Sequence, residues 1–324
     1  MVSDATRRPL VAIAGPTASG KTTLALRIAA EFGGEVVNCD SQQVYRGFDI
    51  GTAKLPVAER GGIPHHLLDI QEPTVAFSAG DFSRLARAAI NEISGRGRLP
   101  VLAGGTGFYL KTLLEGIFDG PRRDPELRDR LRRRPPGSLH RILTRLDPAA
   151  AARIHTHDEQ KLVRALEVII QARQPLTHQL AAPREGLEGY APLILFLAPP
   201  REVLYERINR RTEQLYDDGW LDEVAALRAA GVPGDAPAFT AHGYRETLAV
   251  LEGRMTLAAA IVHIQQITRN YAKRQFTWFR NQQPEAIHLA GFGDEPRIQG
   301  AASALVGELL KNRGESSQLT RNNF

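Results

Sequence analysis

Gly15-Pro16-Thr17-Ala18-Ser19-Gly20-Lys21-Thr22 fits the pattern G-x-x-x-x-G-K-[ST] at every fixed position. Residues of these types at this spacing hold phosphates. Glycine lets the backbone turn its N–H groups inward, and the helix start that follows adds partial positive charge. Lys21 can reach terminal phosphates, and the Thr22 hydroxyl is placed to hold Mg²⁺. The loop specifies a polyphosphate or a diphosphate, not ATP in particular. Asp40 closes a second apolar run and has several open roles there. It can ligate Mg²⁺ through water, hold a hydroxyl, act as general base, or simply cap the segment from Ser41 onward. Thr106 follows Gly104 and Gly105, so a hydroxyl sits where a substrate or another backbone can approach closely; the plainer reading is a tight strand-to-helix turn. Arg207, Arg210 and Arg211 recur at i, i+3 and i+4. One of them can clamp a departing diphosphate, while at least one belongs to a solvated helix face.

The elements that must position these groups alternate in type. Residues 10–14 read as a buried strand and 23–30 as a helix. Residues 35–39 form a second strand, 66–70 a third and 99–103 a fourth, with helices over 81–94 and 108–114. This rhythm predicts an α/β fold with a parallel sheet covered on both faces, whose ligands bind at the carboxyl ends of the strands. The phosphate loop, Asp40 and Gly104–Gly107 all fall at such ends. The fourth strand ends without the acidic residue that many phosphate-loop enzymes use to hold their metal.

The rhythm breaks near Gly116. Helices over 138–146, 149–154 and 158–172 follow a basic, proline-bracketed stretch, with Leu162, Ala165, Leu166 and Ile169 as the apolar stripe of the last and Asp158 as its N-cap. Strand character returns at 193–197. We therefore expect a core from 1–119 and 191–312, a helical insertion over 120–190 and a disordered tail over 313–324. In the C-terminal part, helices are expected over 201–217, 221–230 and 244–251. One long helix over 256–280 carries Arg269, Lys273, Arg274 and Arg280 among Tyr271, Phe276, Trp278 and Phe279. Those aromatics suit core packing.

The chain has 324 residues, is 43% hydrophobic and carries a formal charge of +5, a mild excess that alone indicates a solvated surface. A single cysteine, Cys39, rules out an internal disulfide framework and suits a reducing cytoplasm. No apolar run reaches membrane-spanning length, and residues 1–9 lack the apolar stretch of a signal peptide.

Seven segments together resemble the bacterial tRNA dimethylallyltransferase (tRNA isopentenyltransferase) family. They are the phosphate loop, D-S-Q-Q-V-Y-R-G-F-D-I-G-T-A-K (40–54), P-H-H-L-L-D (64–69), G-G-T-G-F-Y-L (104–110), D-E-Q-K-L-V-R-A-L-E (158–167), G-Y-R-E (243–246) and T-R-N-Y-A-K-R-Q-F-T-W-F-R (268–280). The resemblance implies a P-loop, nucleoside-triphosphate-hydrolase-like sheet domain with an inserted helical domain. It implies transfer of a dimethylallyl group from dimethylallyl diphosphate to N6 of the adenosine 3′ of the anticodon, with Mg²⁺ as cofactor. It assigns Asp40 as general base and Thr106 and Arg211 to the diphosphate and substrate, with the loop Gly15 to Thr22 as diphosphate site. Its tRNA contacts fall on Asp40, Ser41, Gln42 and Gln43, on Arg128, and on Gln160, Lys161, Leu162, Val163 and Arg164. They continue on Thr240, Ala241, His242, Gly243, Tyr244 and Arg245, and on Lys273, Arg274, Gln275, Phe276, Thr277, Trp278, Phe279 and Arg280. The expected partners are thus an anticodon stem-loop and dimethylallyl diphosphate, with no membrane, and the expected state is a cytoplasmic monomer.

Two segments depart from the family pattern. His242 stands where an apolar residue is usual, and His155-Thr156-His157-Asp158 replaces His-Pro-Asn-Asp. Three rival readings share parts of this pattern. An enzyme prenylating free AMP would need the loop, Asp40 and Thr106 but neither the insertion nor 273–280. A phosphate-loop kinase would want an acid after the fourth strand. A non-catalytic RNA-binding module has no use for a complete phosphate loop beside a carboxylate.

Overall fold

The computed structural model describes residues 7–321 except Asp119, Ala182 and Pro183, and for 312–321 the backbone alone. The first element, β1 (Arg8–Ala14), is buried from Leu10 onward, and its two faces enter different cores. Leu10, Ala12 and Ala14 meet Phe82, Ile90, Leu110 and Phe279, whereas Val11 and Ile13 meet Leu24, Ile28, Ile298 and Val306. An uninterrupted apolar run is therefore what this strand requires, because a parallel sheet is covered on both sides. After β1 come α1 (Lys21–Phe32), β2 (Gly34–Asn38), β3 (His65–His66), α2 (Ala79–Gly95), β4 (Leu99–Gly104) and α3 (Gly107–Glu115). Past the helical segment the chain continues with β5 (Tyr190–Leu197), α9 (Arg201–Asp217), α10 (Trp220–Ala229), α11 (Tyr244–Leu251), α12 (Leu257–Gln282), β6 (Ile287–Leu289) and α13 (Pro296–Arg321); between them lie α4 (Pro125–Arg132), α5 (Ser138–Leu146), α6 (Pro148–Ala151), α7 (Glu159–Ala172) and α8 (Leu176–Leu180). The six strands are all parallel, in the order β3-β2-β4-β1-β5-β6.

Three expectations are corrected. The third strand does not span 66–70 but stops at His66, because Leu67 and Asp69 adopt left-handed backbone (φ 63° and 56°) that cannot continue a ladder. A sixth strand, β6, pairs Leu195–Leu197 with Ile287–Leu289. The segment 313–321 is not irregular but continues α13; residues 322–324 of the expected tail lie outside the described residues.

The chain divides into two compact units, residues 1–114 with 187–324, and residues 115–186. In the first, a third core sits apart from the sheet: Val44, Phe48, Trp220, Phe239, Tyr244 and Ile264 pack the loop after β2 onto α10, α11 and α12. Phe48 packs against Tyr244 at a tilt, with 4.6 Å between ring centroids, and Trp220 meets Tyr244 edge-on at 5.4 Å. Glu223 secures the same loop. Its carboxylate accepts the N–H groups of Asp49 (2.8 Å), Ile50 (2.6 Å) and Gly51 (3.3 Å) and the Tyr244 hydroxyl (2.6 Å).

The second unit is a small helical core of Leu127, Leu131, Leu143, Leu162, Leu166 and Ile169. Asp158 caps α7 by accepting the Lys161 N–H at 3.1 Å. Glu167 is fully buried there, and it accepts from Asp124 N (2.8 Å), Arg128 Nε (3.0 Å) and Arg164 Nη1 (2.7 Å). Burial alone would raise its pKa, but these partners outweigh it and hold the carboxyl below its usual range.

The end of β4 is packed too tightly for any side chain. A Cβ at Gly104 would lie 2.0 Å from the Cys39 carbonyl oxygen. Gly104→Ala should push β2 and β4 apart at the point where Asp40 and Thr106 emerge, lowering stability by roughly 1–3 kcal/mol. Denaturant unfolding of the variant checks this, and wild-type stability would show that the strand ends can spread at no cost.

Candidate active site

The phosphate loop leaves β1 and enters α1 through Gly20, whose left-handed backbone (φ 84°) makes it the helix N-cap without a side-chain cap. The first-turn N–H groups of α1 therefore stay free for an anion. Ala18 also takes positive φ (62°), strain of the kind that collects at ligand-binding turns. Behind the loop, Gly293 N–H donates to the Ser19 carbonyl at 2.9 Å, and a Cβ on Gly293 would lie 2.3 Å from the Gly20 oxygen. The Gly291-x-Gly293 spacing is the sequence's hint of this buttress, which hydropathy does not reveal.

Gln275 ties the loop to the rest. Buried on α12, it accepts the Thr17 N–H (3.0 Å) through Oε1 and donates through Nε2 to the Gly105 carbonyl (2.8 Å). A Cβ on Gly105 would fall 2.2 Å from that Nε2, and one on Gly107 would overlap the Trp278 ring. The glycines after β4 thus admit α12 side chains.

Asp40 is both cap and cavity wall. Oδ1 accepts the Gln42 N–H at 2.8 Å, and the backbone is gripped by Asn38, which bonds Asp40 N and O. The carboxylate lines a cavity of about 210 Å³ with Thr17, Ala18, Ser41, Gln42 and Arg211, against an apolar wall of Ile208, Leu215, Trp220 and Ile264. His242 and Tyr271 also line it, as does Gly51. Thr106 stands behind: its Oγ1 accepts the Ser41 N–H at 3.1 Å and engages the Tyr271 side chain.

The electrostatics are those of a partly desolvated anion site. Burial lowers the Lys21 pKa to about 8; the charge of Asp40 opposes the shift and Arg211 adds to it. The Lys21 ammonium donates to the Pro16 carbonyl at 2.7 Å. Burial lowers Arg211 as well, again against the pull of Asp40. Of the three clustered arginines, Arg207 is paired with Asp294 at 2.9 Å and lies over the Phe292 ring, Arg210 is exposed, and Arg211 alone faces the cavity.

The residues that the resemblance assigns to tRNA divide by burial. Leu162, Val163, Ala241, Gly243, Tyr244, Gln275 and Phe279 are buried, and of these Ala241 borders the cavity. Phe276 and Trp278 pack partly against the main core. Arg128 and Arg164 both spend their cations on Glu167. Gln43 donates to the Thr52 carbonyl at 3.0 Å. Gln160, Lys161, Thr240, Arg245, Lys273, Arg274, Thr277 and Arg280 are exposed. Lys273, Arg274, Thr277 and Trp278 border one open groove along α12.

No group of three or more His, Cys, Asp or Glu among the described residues can hold a metal by itself. Magnesium suits such a site all the same, because it takes few protein oxygens and completes its shell with phosphate and water. The Ser19 hydroxyl, buried without a hydrogen-bond partner, and the Thr22 hydroxyl at the helix start are donors of that kind.

An all-parallel sheet with a phosphate loop leaving an interior strand defines a P-loop α/β protein. The family model described as IPP transferase matches residues 43–282, and the chain belongs to that family. It is 53% identical over 305 residues to the tRNA dimethylallyltransferase of Solibacter usitatus, covering 93% of this chain and 99% of that one. It is 47% identical to the tRNA dimethylallyltransferase of Koribacter versatilis over 92% and 97% of the two chains. Among solved structures it is similar to the full-length tRNA isopentenylpyrophosphate transferase of Bacillus halodurans (38% identity, 97% and 100% coverage, TM-score 0.70). It is also similar to a eukaryotic dimethylallyltransferase acting on tRNA (26% identity, 94% and 80% coverage, TM-score 0.81).

Two outcomes follow from this geometry. Lys21 is charged below about pH 8 and neutral above it, so inorganic diphosphate should bind less tightly as pH rises through 8, by up to about tenfold per unit. Calorimetry beside Lys21→Arg, whose cation persists, isolates the effect; parallel pH profiles would remove Lys21 as its source. Gln275→Ala should weaken diphosphate about tenfold by freeing the Thr17 strand of the loop, whereas Thr277→Ala on the exposed face should leave it unchanged.

Proposed function

We propose that this chain transfers a dimethylallyl group from dimethylallyl diphosphate to N6 of the adenosine immediately 3′ of the anticodon in tRNA, releasing diphosphate. One observation carries the reading: phosphate-loop residues, a carboxylate and an arginine line one cavity together with the apolar side chains of Ile208, Leu215, Trp220 and Ile264. The polar groups suit a diphosphate and the apolar side chains a five-carbon allylic group.

The loop N–H groups, Lys21 and Arg211 hold the diphosphate and stabilise the charge it gains as its bond to the allylic carbon breaks. Bound Mg²⁺, held through Thr22 and water, would neutralise part of that charge. The adenine amine is a poor nucleophile because its lone pair is delocalised into the ring. Its nitrogen forms the new C–N bond, the electron pair of the C–O bond leaves with diphosphate, and Asp40 takes the N6 proton. Thr106 serves through its bonds to Ser41 and Tyr271, which keep the Asp40 loop in place. An adenine stacked in an anticodon loop cannot reach such a cavity, so the base must swing out of the loop. The exposed cations Lys273, Arg274 and Arg280 suit the phosphates of that stem-loop, and the helical unit, with Gln160 and Lys161 exposed on α7, suits a second grip on the same RNA. No described helix is long and apolar enough to cross a membrane. We further propose that the protein acts as a monomer in the cytoplasm.

The test is transfer of labelled dimethylallyl diphosphate, with Mg²⁺, to unmodified tRNA, an anticodon stem-loop and AMP in parallel. Label on tRNA and stem-loop but not on AMP is expected; label on AMP would move the chain to nucleotide prenylation, and none anywhere would remove prenyl transfer. Asp40→Ala should keep tRNA affinity and lose turnover by about 10²–10⁴, so near-normal turnover would exclude Asp40 as base. Neutralising Lys273 and Arg280 together should weaken tRNA binding and flatten the log–log salt slope by about two.

A further inference from the structure

The proposed chemistry leaves His242 unused. It lies on the turn before α11, half-buried, and lines the same cavity as Asp40 and Arg211. Its ring rests on Tyr271, with centroids 4.5 Å apart and planes 33° apart, and the Tyr271 side chain interacts in turn with Thr106. The imidazole is thus held in orientation by a face contact, while neither ring nitrogen makes a hydrogen bond to the described residues. Such a ring is a donor and acceptor waiting for a partner. The charged groups that reach it are Arg274 on α12, Asp40 at the end of β2 and Glu246 on α11. Burial, aided by Arg274, holds its pKa below the ordinary imidazole value against the two carboxylates. A neutral ring has one N–H to donate and brings no charge beside Arg211.

Resting on the transfer to adenosine proposed above, we infer that His242 determines acceptor specificity by donating a hydrogen bond to one of the two ring nitrogens, N1 or N7, that flank the reacting amine of the adenine. An adenine whose N6 faces Asp40 carries N1 and N7 on either side of that amine, both acceptors and both in the plane of the base. An N–H from the neighbouring wall fixes the in-plane rotation of the base and so aims the amine at the allylic carbon. Orientation of this kind acts on the rate as well as on binding. Guanine carries an oxygen in place of the amine and an N–H at position 1, so it meets the same wall with a mismatched edge.

The experiment compares stem-loops carrying adenosine, 1-deazaadenosine or 7-deazaadenosine at the target position, with wild type and His242→Leu. Wild type should lose about tenfold in kcat/KM on one deaza acceptor. His242→Leu should lose a similar factor on adenosine and on the other analogue, with no further loss on the sensitive one and no change in KM for dimethylallyl diphosphate. His242→Gln, which restores an N–H donor, should recover part of the loss and serves in place of the leucine variant if that one fails to fold. Equal losses on all three acceptors, or unimpaired His242→Leu, would overturn the inference. Absence of transfer by wild type to the adenosine stem-loop would instead overturn the transferase reading on which it rests.

Discussion

A single carboxamide joins the parts of the site. Gln275 reaches from α12 to a backbone N–H of the phosphate loop and to a backbone carbonyl beyond β4, so that helix, loop and sheet end share one buried polar link. Both halves of the amide must be satisfied, because a buried donor or acceptor left unpaired is costly. The glycines at 105 and 107 are consequences of that link, since any side chain there would displace Gln275 or Trp278. The position of α12 in turn sets the cavity wall, through Ile264 and Tyr271, and leaves its cations on the outside.

The charges around the phosphate loop are balanced against one another. Asp40 acts on both Lys21 and Arg211, two cations whose burial works against their charge. An arriving diphosphate would supply the anion that both are short of, and the carboxylate would then be freed from that duty. The apolar wall of Ile208, Leu215 and Trp220 strengthens every such interaction by keeping the local dielectric low.

Much of this was legible in the residues. The loop and the strand at 10–14 have strong local signals: a fixed spacing of glycines and an unbroken apolar run. Asp40 was open between cap and catalytic group, and one carboxylate does cap while lining the cavity, which no pattern can decide. The third strand was overread because hydropathy at 66–70 carries no trace of left-handed backbone at Leu67 and Asp69. β6 was missed because three residues are too few for a periodic signal. Spacing alone does not separate Arg207 from Arg211, which only the resemblance singles out, since what engages Arg207 is Asp294, far along the chain. The buried members of the RNA list share that origin: a motif marks a stretch of chain, and only packing divides it into inward and outward faces.

The grip of Glu223 on the loop after β2 has a consequence for where anions settle. Three successive backbone amides, from Asp49 to Gly51, point at one carboxylate, those of Asp49 and Ile50 at one oxygen and that of Gly51 at the other, much as backbone amides cradle an anion. Gly51 borders the same cavity as the phosphate loop. The molecule therefore satisfies these three amides with its own carboxylate, and the backbone N–H groups at the start of α1 are the ones left for an incoming anion.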